Sequence, residues 1–293
     1  MRSGQHPRNL LLQALPAAEF EALRPRLELV ELVKDTVLVE AGAPSTHVYL
    51  PHSGVISLMV RLSEGQSVEV VMIGRDSLFG ASAALDGGIS LTDAVVVLPG
   101  TAAMLSVADF RAAAERSAAL RRLVARHEQA LFAQAQQSVA CNASHTVEAR
   151  LSRWLLRVRE LSDSETLPLT QEFLAQMIGV QRNAVSIVAH ALQKAGMIRY
   201  SRGHIEITDA DRLLETTCEC YRAVEGEARP IAEAAELTFC DKIPNKTLAK
   251  RKRVEACPHY LHDSAHSGGT GAGRCAYIPS ILANTTYKGH ALC

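Results

Sequence analysis

The chain has 293 residues, 47% of them hydrophobic, and equal numbers of acidic and basic side chains, 31 of each. This length allows two domains and an extension, and the apolar content excludes a wholly disordered chain. No apolar run is long enough to cross a bilayer, and the first ten residues lack the apolar segment of a signal peptide. We therefore expect a cytoplasmic protein with no membrane partner.

Charge is distributed unevenly along the chain. Residues 1–115 contain 13 acidic and 8 basic residues, whereas residues 241–293 contain 3 acidic and 8 basic residues. Nucleic-acid contacts depend on basic side chains, so we do not expect them in the N-terminal part.

The first third of the chain is predicted to be a small antiparallel β-roll. A short helical lead-in covers Asn9 to Leu27, and strand-like runs separated by turns continue to about Leu105. Short strands at even spacing are typical of a barrel or roll. The predicted strands are Leu29–Val33, Thr36–Val39, His47–Leu50, Gly54–Val60, Ser67–Met72 and Ala94–Val97.

A long helix is predicted from Ala108 to Ala140, because this segment is rich in Ala, Arg and Gln and has neither Pro nor Gly. Its apolar stripe needs a partner surface, which is either the roll or the same helix of a second subunit. The sequence leaves both alternatives open. On the second alternative, the dimer interface consists of Leu120, Leu123, Val124, His127 and Leu131.

A helix-turn-helix is predicted from Leu169 to Gly196, after an amphipathic helix over Val147–Leu161. Thr170 can N-cap the first helix, and Gly179 can end it in a left-handed conformation. The second helix, from Gln181, would place its first residues against base edges in a DNA major groove.

The residues after the second helix are predicted to form a wing, that is, two strands joined by a tight turn. This segment, Met197–Ile207, precedes a last helix from Asp209 to about Tyr221. Between Thr170 and Ile205 four basic residues stand against a single acid, Glu172, and a basic surface is expected where phosphates are bound. We therefore predict that the chain binds double-stranded DNA.

Three cysteines, Cys141, Cys218 and Cys220, have two interpretations: they pack helices, or they form a redox or metal-responsive site. The first is favoured, so no metal site is assigned. The tail, residues 241–293, is predicted to be mostly disordered. Its features are a basic run at Lys250–Arg253 and irregularly spaced metal-ligand types at Cys257, His259, His262 and His266.

A β-roll, a long helix and a winged helix-turn-helix in this order resemble the CRP/FNR family of bacterial transcription regulators. The segments ARLSRWLL, LPLTQEFLAQMIGV and CECY carry the most specific part of the resemblance. It implies an α+β fold with a cyclic-nucleotide-binding-like roll over residues 1–108 and a dimerisation helix over 109–144. A winged helix-turn-helix over 145–222 and a C-terminal extension over 223–293 complete the predicted domains. It also implies a homodimer on a palindromic operator, with RNA polymerase as a further partner.

The resemblance suggests roles for individual residues. Arg182 matches the family's first base-reading Arg, Asn183 replaces an acidic reader, and Ile187 stands where the founding member has a second Arg. Thr170 matches a phosphate contact at the start of the first helix. The complete predicted DNA-binding set is Thr170, Gln181, Arg182, Asn183, Ser186, Ile187, Arg199, Ser201 and Arg202.

The family's cyclic-nucleotide cassette is incomplete in this sequence. Gly80 is present, but Ala81 replaces the Glu that holds the ribose, and no Arg for the phosphate occurs around Thr92. An anionic ligand would lose charge-assisted hydrogen bonds there, and Asp93 would repel it. We expect no cAMP binding and assign no cofactor; the effector is unknown, with a candidate pocket at Gly80, Ala81 and Thr92.

Three alternatives stay open. The first is haem ligation by His47, His52 or His127, although ordinary histidines are favoured. An oxygen-sensing iron–sulfur cluster is not among the alternatives, because the N-terminal cysteines that would hold it are missing. The roll can also be a scaffold without a ligand. Finally, the chain could be an effector subunit or an enzyme, but it contains no G-x-S-x-G, H-E-x-x-H or P-loop motif, so no catalytic residue is assigned.

Overall fold

The computed structural model describes residues 8–86, 88–162 and 164–223, except for the side chain of Asp86. All of them belong to one compact unit. They form the predicted α+β arrangement of an antiparallel roll, a long helix and a winged helix-turn-helix. The predictions for the tail, including its basic run and its Cys and His residues, fall outside the described residues.

The chain begins with two short helices, α1 (Leu10–Gln13) and α2 (Ala17–Leu23), and a 3-10 turn over Arg24–Arg26. Asn9 fixes the start of α1 because its side-chain oxygen accepts hydrogen bonds from the backbone N–H groups of Leu11 and Leu12. Its amide nitrogen donates to the backbone carbonyls of Pro51 and Ser77, so this buried side chain ties the lead-in to the roll.

The roll consists of two antiparallel sheets with strand orders β1-β7-β3 and β2-β6-β4-β5. The six predicted strands correspond to β1–β6, whereas β7 and the short helix α3 were not predicted. The elements are β1 (Glu28–Leu32), β2 (Val37–Val39), β3 (His47–Pro51), β4 (Val55–Arg61), β5 (Ser67–Ile73), α3 (Ala81–Asp86), β6 (Asp93–Leu98) and β7 (Gly100–Ser106).

The segment predicted as one long helix is two helices, α4 (Val107–Arg116) and α5 (Ala118–Ser144). Ser117 separates them in an extended conformation, with φ −113° and ψ 108°. Its hydroxyl oxygen accepts a hydrogen bond from the backbone N–H of Leu120 at 3.0 Å, so it N-caps α5. The prediction of a continuous helix was wrong at this position.

Within the described residues up to 215, the C-terminal part contains four helices and a three-stranded antiparallel sheet of order β8-β10-β9. Helix α9 ends at Glu215, earlier than predicted, and the described residues 220–223 are helical again. The elements are α6 (Val147–Ser162), β8 (Thr166–Leu167), α7 (Gln171–Met177), α8 (Arg182–Lys194), β9 (Ile198–Ser201), β10 (His204–Ile207) and α9 (Ala210–Glu215).

One hydrophobic core, which we call the shared core, contains residues from both the roll and the C-terminal helices. Met59 on β4 and Met72 on β5 belong to the same buried cluster as Trp154 and Leu155 on α6 and Val185 on α8. Burial of apolar surface is the main stabilising contribution to a fold, so this cluster joins the two parts. Among the described residues, no helix has the length and apolar character needed to span a bilayer.

Candidate DNA-binding surface and effector cavity

Helices α7 and α8 form the predicted helix-turn-helix. The hydroxyl of Thr170 accepts a hydrogen bond from the backbone N–H of Phe173 at 3.1 Å and so caps α7. Gly179 lies in the turn with φ +63°, a conformation that glycine adopts without strain. The inner face of α8 is held by three buried residues, Val185, Ala189 and Leu192.

The opposite face of α8 is open to solvent at the N-terminal end of the helix. Gln181, Arg182 and Asn183 are exposed, and Ile187, one turn after Asn183, is 71% exposed. The guanidinium of Arg182 lies 3.7 Å from the carboxylate of Glu172, but both side chains are more than two-thirds exposed. Such a pair is weak, so Arg182 can turn toward a ligand at little cost.

Ser186 differs from its neighbours on this face. Its hydroxyl donates a hydrogen bond to the side-chain oxygen of Gln171 at 2.6 Å, which links α8 to α7. The structure therefore gives this predicted DNA contact a second role in holding the two helices together.

The wing is the hairpin of β9 and β10. Arg202 and Gly203 both have positive φ, 48° and 79°, as a two-residue hairpin turn of type I′ requires. Ser201 and Arg202 are exposed at the tip. Arg199 lies on β9 before the tip and pairs with Glu206 across the hairpin, with its nitrogen 2.7 Å from the carboxylate. Arg202 is therefore the stronger candidate for a phosphate contact.

A buried polar contact joins the roll to the helix-turn-helix region. The indole N–H of Trp154 donates to the carboxylate of Glu69 on β5 at 2.8 Å, and the hydroxyl of Ser57 donates to the other oxygen. Burial raises the pKa of Glu69 to about 7, while these two hydrogen bonds and the charge of Arg153 lower it. The carboxyl group therefore changes its charge near neutral pH.

A cavity of about 420 Å³ lies between the roll, α3 and α5. The predicted pocket residues Gly80 and Thr92 line it, whereas Ala81 is fully buried in the adjacent core and is not among the lining residues. Glu128 and Leu131 of α5 form one wall. Among the lining residues that the structure describes, none is Arg or Lys, so a bound anion would have no cationic partner in this wall.

Two family models match the chain: a cyclic nucleotide-binding domain over residues 29–117 and a Crp-like helix-turn-helix domain over residues 149–216. They coincide with the roll and the winged helix-turn-helix described above. The chain belongs to the CRP/FNR family of transcriptional regulators. The resemblance seen in the sequence is thereby confirmed.

Curated relatives of this CRP/FNR protein are regulators. The chain is 23% identical over 220 residues to the CRP-like cAMP-activated global transcriptional regulator of Mycobacterium tuberculosis, covering 69% of this chain and 94% of that protein. It is 28% identical over 171 residues to the cyclic AMP receptor protein of Thermus thermophilus, covering 57% of this chain and 77% of that protein.

Solved structures show the same fold. FixK2 from Bradyrhizobium japonicum superposes with a TM-score of 0.56 at 17% identity, covering 66% of this chain and 98% of FixK2. A CRP/FNR family regulator from Thermus thermophilus superposes with a TM-score of 0.54 at 22% identity, covering 64% and 97% of the two chains.

Asp93, which was expected to repel a phosphate, has partners inside this CRP/FNR roll. Its buried carboxylate accepts hydrogen bonds from the backbone N–H of Ala41 at 2.8 Å and from the guanidinium of Arg61 at 2.7 Å. These contacts, the backbone hydrogen bond first, lower its pKa. The charge of Asp93 is thus balanced by Arg61, so Asp93 is not the reason to exclude an anionic ligand. The reason is that no Arg or Lys occurs among the described residues of the cavity wall.

The predicted dimer interface on the long helix needs a correction. Leu120, Leu123 and Val124 of α5 are buried in the core of the roll of the same chain, and His127 is 1% exposed. Leu131 is half-buried against the second roll cluster. Four of the five side chains are thus covered by the roll of the same chain, which was the other alternative, and only Leu131 keeps part of its surface exposed.

His127 also has partners that bear on the haem alternative. Its Nε2 atom lies 2.7 Å from the hydroxyl of Ser77 and accepts a hydrogen bond from the backbone N–H of Leu78 at 3.2 Å. One of the two ring nitrogens is therefore already used inside the roll, which favours the interpretation of an ordinary buried histidine.

The structure places the three cysteines of the possible redox or metal-responsive site next to one another and adds a fourth residue to them. Cys141, Cys218 and Cys220 are buried free thiols at the end of α5 and after α9. They lie beside His145, a residue that was not singled out. Burial raises the pKa of all three thiols. The only sequence signal for the fourth member is the spacing of His145, one helical turn after Cys141.

Proposed function

We propose that this CRP/FNR regulator acts as a homodimer on a palindromic operator and that its roll responds to a small ligand other than cAMP. The observation that carries the proposal is the exposed N-terminal end of α8, where Arg182, Asn183 and Ile187 stand beside a wing with Arg202 at its tip. RNA polymerase is a proposed partner, as the family resemblance implies.

The exposed side chains of α8 suit the base edges of the major groove. An arginine can donate two hydrogen bonds to guanine, an asparagine can pair with adenine, and an apolar side chain can contact the methyl group of thymine. Arg182, Asn183 and Ile187 offer these three chemistries on one helix face. Thr170, Gln181, Ser201, Arg199 and Arg202 would contact the backbone or flank the readers, and so fix the position of α8 in the groove.

The homodimer proposal now depends on the solvent-facing side of α5. Exposed residues recur there at alternating spacings of three and four, which is the seam pattern of a two-helix coiled coil. Phe132 is 66% exposed and Val139 is 68% exposed, and a second copy of α5 would cover both. The proposed seam residues are Arg122, Ala125, Gln129, Phe132, Gln136, Val139 and Ala143.

The cavity supports an uncharged or cationic effector. The described residues of its wall combine apolar side chains with hydroxyl groups and the carboxylate of Glu128. Its volume of about 420 Å³ is within the range of sites for small organic ligands. Because Glu128 and Leu131 belong to α5, a ligand in the cavity would contact the helix that carries the proposed seam.

Retention of genomic DNA fragments at moderate salt, followed by sequencing, tests the DNA-binding proposal. We expect a two-fold symmetric motif with half-sites about one helical turn apart, roughly 34 Å. Arg182→Ala should weaken binding to this motif by about 1–3 kcal/mol and relax the preference at one base pair in each half-site. Lys194→Ala, at the far end of α8, is the matched control and should keep the motif unchanged.

Two results would contradict the proposal. Uniform retention of all fragments that disappears with added salt would indicate a binder without sequence preference. Equal loss of affinity on every sequence in Arg182→Ala would show that Arg182 does not read a base.

A further inference from the structure

Four side chains with metal-ligand chemistry converge where α5 ends. Cys141 lies in the last turn of α5, His145 is the residue that caps this helix, and Cys218 and Cys220 follow α9. Their ligand atoms all lie within 4.8 Å of one another. The Sγ atoms of Cys141 and Cys218 are 3.6 Å apart, and Sγ of Cys220 is 3.5 Å from Nδ1 of His145.

The two shortest of these distances match edges of a tetrahedral zinc site. Zinc binds thiolate sulfur at about 2.3 Å and imidazole nitrogen at about 2.0–2.1 Å, which sets the sulfur–sulfur edge at about 3.8 Å and the sulfur–nitrogen edge at about 3.5 Å. Two of the edges are therefore already present. Three sulfur atoms and one nitrogen favour zinc over calcium or magnesium, which prefer oxygen ligands.

The groups around the four ligands also fit a metal site. Nε2 of His145 lies 3.3 Å from the carboxylate of Glu219, whereas Nδ1 of the same ring faces Cys220. A metal-ligating histidine usually donates its other N–H to such a carboxylate, which fixes the tautomer that leaves Nδ1 free for the ion. The side-chain amide of Gln137 donates to Sγ of Cys220 at 2.9 Å, as a donor to a thiolate would.

The local burial pattern explains how two cysteines separated by one residue can both face the same site. Cys218 and Cys220 are buried, whereas the side chain of Glu219 between them is 80% exposed. The two cysteines therefore face the protein while the residue between them faces solvent. Both sulfur atoms can reach Cys141 and His145 as a result.

We propose that Cys141, His145, Cys218 and Cys220 bind one Zn²⁺ ion in a closed tetrahedral site that links the end of α5 to the segment after α9. Binding would displace the thiol protons, and the positive charge of nearby Arg153 would offset the net negative charge of three thiolates around a divalent ion. Helices α6–α9, including the recognition helix, lie between Cys141 and Cys218 in the chain. The ion would thus hold both ends of the DNA-binding unit at one point.

Cobalt titration of the full chain tests this site. Cys240, Cys257, Cys275 and Cys293 are replaced by Ser so that the three described thiols are the only ones left. Under anaerobic conditions with a phosphine reductant, we expect one Co²⁺ per chain, with thiolate-to-cobalt charge-transfer bands and tetrahedral d–d bands. One equivalent of Zn²⁺ should abolish both.

Variants show which residues hold the ion. Cys218→Ser should remove one thiolate contribution from the charge-transfer band. His145→Gln changes a side chain that is 23% exposed, so the fold should persist while tight binding is lost. Glu219→Gln should weaken binding about tenfold or more through the histidine. The matched control is Glu215→Gln, an exposed carboxylate four residues earlier that should leave the titration unchanged.

Three outcomes would overturn the proposal. These are an octahedral cobalt spectrum, a charge-transfer spectrum that Cys218→Ser leaves unchanged, and no cobalt binding by the fully reduced protein. A measurement of operator affinity after zinc removal would depend on the proposed function. The cobalt titration does not depend on it, because it detects the metal site alone. A bound ion without a change in DNA affinity would therefore leave the proposed site intact and show only that DNA binding does not depend on it.

Discussion

Replacement of Glu69 by glutamine tests the buried contact between the roll and α6. The carboxyl group of Glu69 is buried and accepts the indole N–H of Trp154. Burial raises its pKa from an ordinary value of 4.5 to about 7. The side chain introduced by Glu69→Gln has nearly the same shape and could still accept from Trp154, but it could not ionise.

The sign of the effect follows from proton linkage. Between pH 4.5 and pH 7 the folded chain keeps a proton on Glu69 that the unfolded chain has released, so the free energy of unfolding falls as the pH rises. The slope approaches about 1.4 kcal/mol per pH unit, and the wild-type chain loses roughly 2 to 3 kcal/mol between pH 5 and pH 8. Glu69→Gln should not show this loss and should be the more stable protein at pH 8 by that amount.

Urea unfolding followed by tryptophan fluorescence measures this difference directly, because Trp154 is the only tryptophan and lies at the contact. Glu64→Gln, a neutralisation in an exposed turn, is the control and should run parallel to the wild-type chain at every pH. If the free energies of unfolding of the wild-type and Glu69→Gln chains differ by the same amount at every pH from 5 to 8, Glu69 does not titrate in this range and its pKa is not raised.

Three further perturbations address the dimer, the wing and the cavity. Phe132→Glu should give monomers in sedimentation analysis, because it puts a charge in the proposed seam, whereas Phe132→Leu should stay dimeric; an unchanged Phe132→Glu dimer would reject that seam. Arg202→Ala should lower the slope of log affinity against log salt concentration by about 1. Arg199→Ala should lower it less, because Arg199 pairs with Glu206, and the reverse order would contradict the wing assignment. Millimolar cAMP should shift the midpoint of thermal unfolding by less than about 1 °C, whereas a specific ligand at 100 times its Kd would add about 2.7 kcal/mol of stability.

The fold was largely predictable from local patterns. The six predicted strands and the helix-turn-helix have strong periodicity or clear turn residues, and each occurs in the structure. Strand β7 was missed because Ala102 and Ala103 have low β-propensity. They adopt the strand conformation because they are buried in the roll. Ser117 was missed because a cap inside an alanine-rich run has no Gly or Pro to mark it.

The candidate sites were predictable only where the residues lie close in sequence. The exposed face of α8 follows from helix periodicity, so Arg182, Asn183 and Ile187 were identified. The face of α5 that meets the roll could not be distinguished from a dimer seam, because Gln129 and Gln136, which belong to the proposed seam, are polar and give no apolar signal. The three cysteines of the cluster around Cys141 were named together as a possible site, but His145 was not, and no local pattern shows that Cys141 and Cys218 meet across 77 residues.

The shared core has a consequence for how this protein can be divided. A fragment that begins at residue 145 would keep every residue of the helix-turn-helix and the wing, yet it would lose Met59 and Met72, which lie in the same cluster as Trp154. We expect such a fragment to aggregate, and the intact chain to melt in a single transition. For the same reason, a roll from another family member could replace this one only if it offered Trp154 a matching surface and a buried acceptor for its indole N–H.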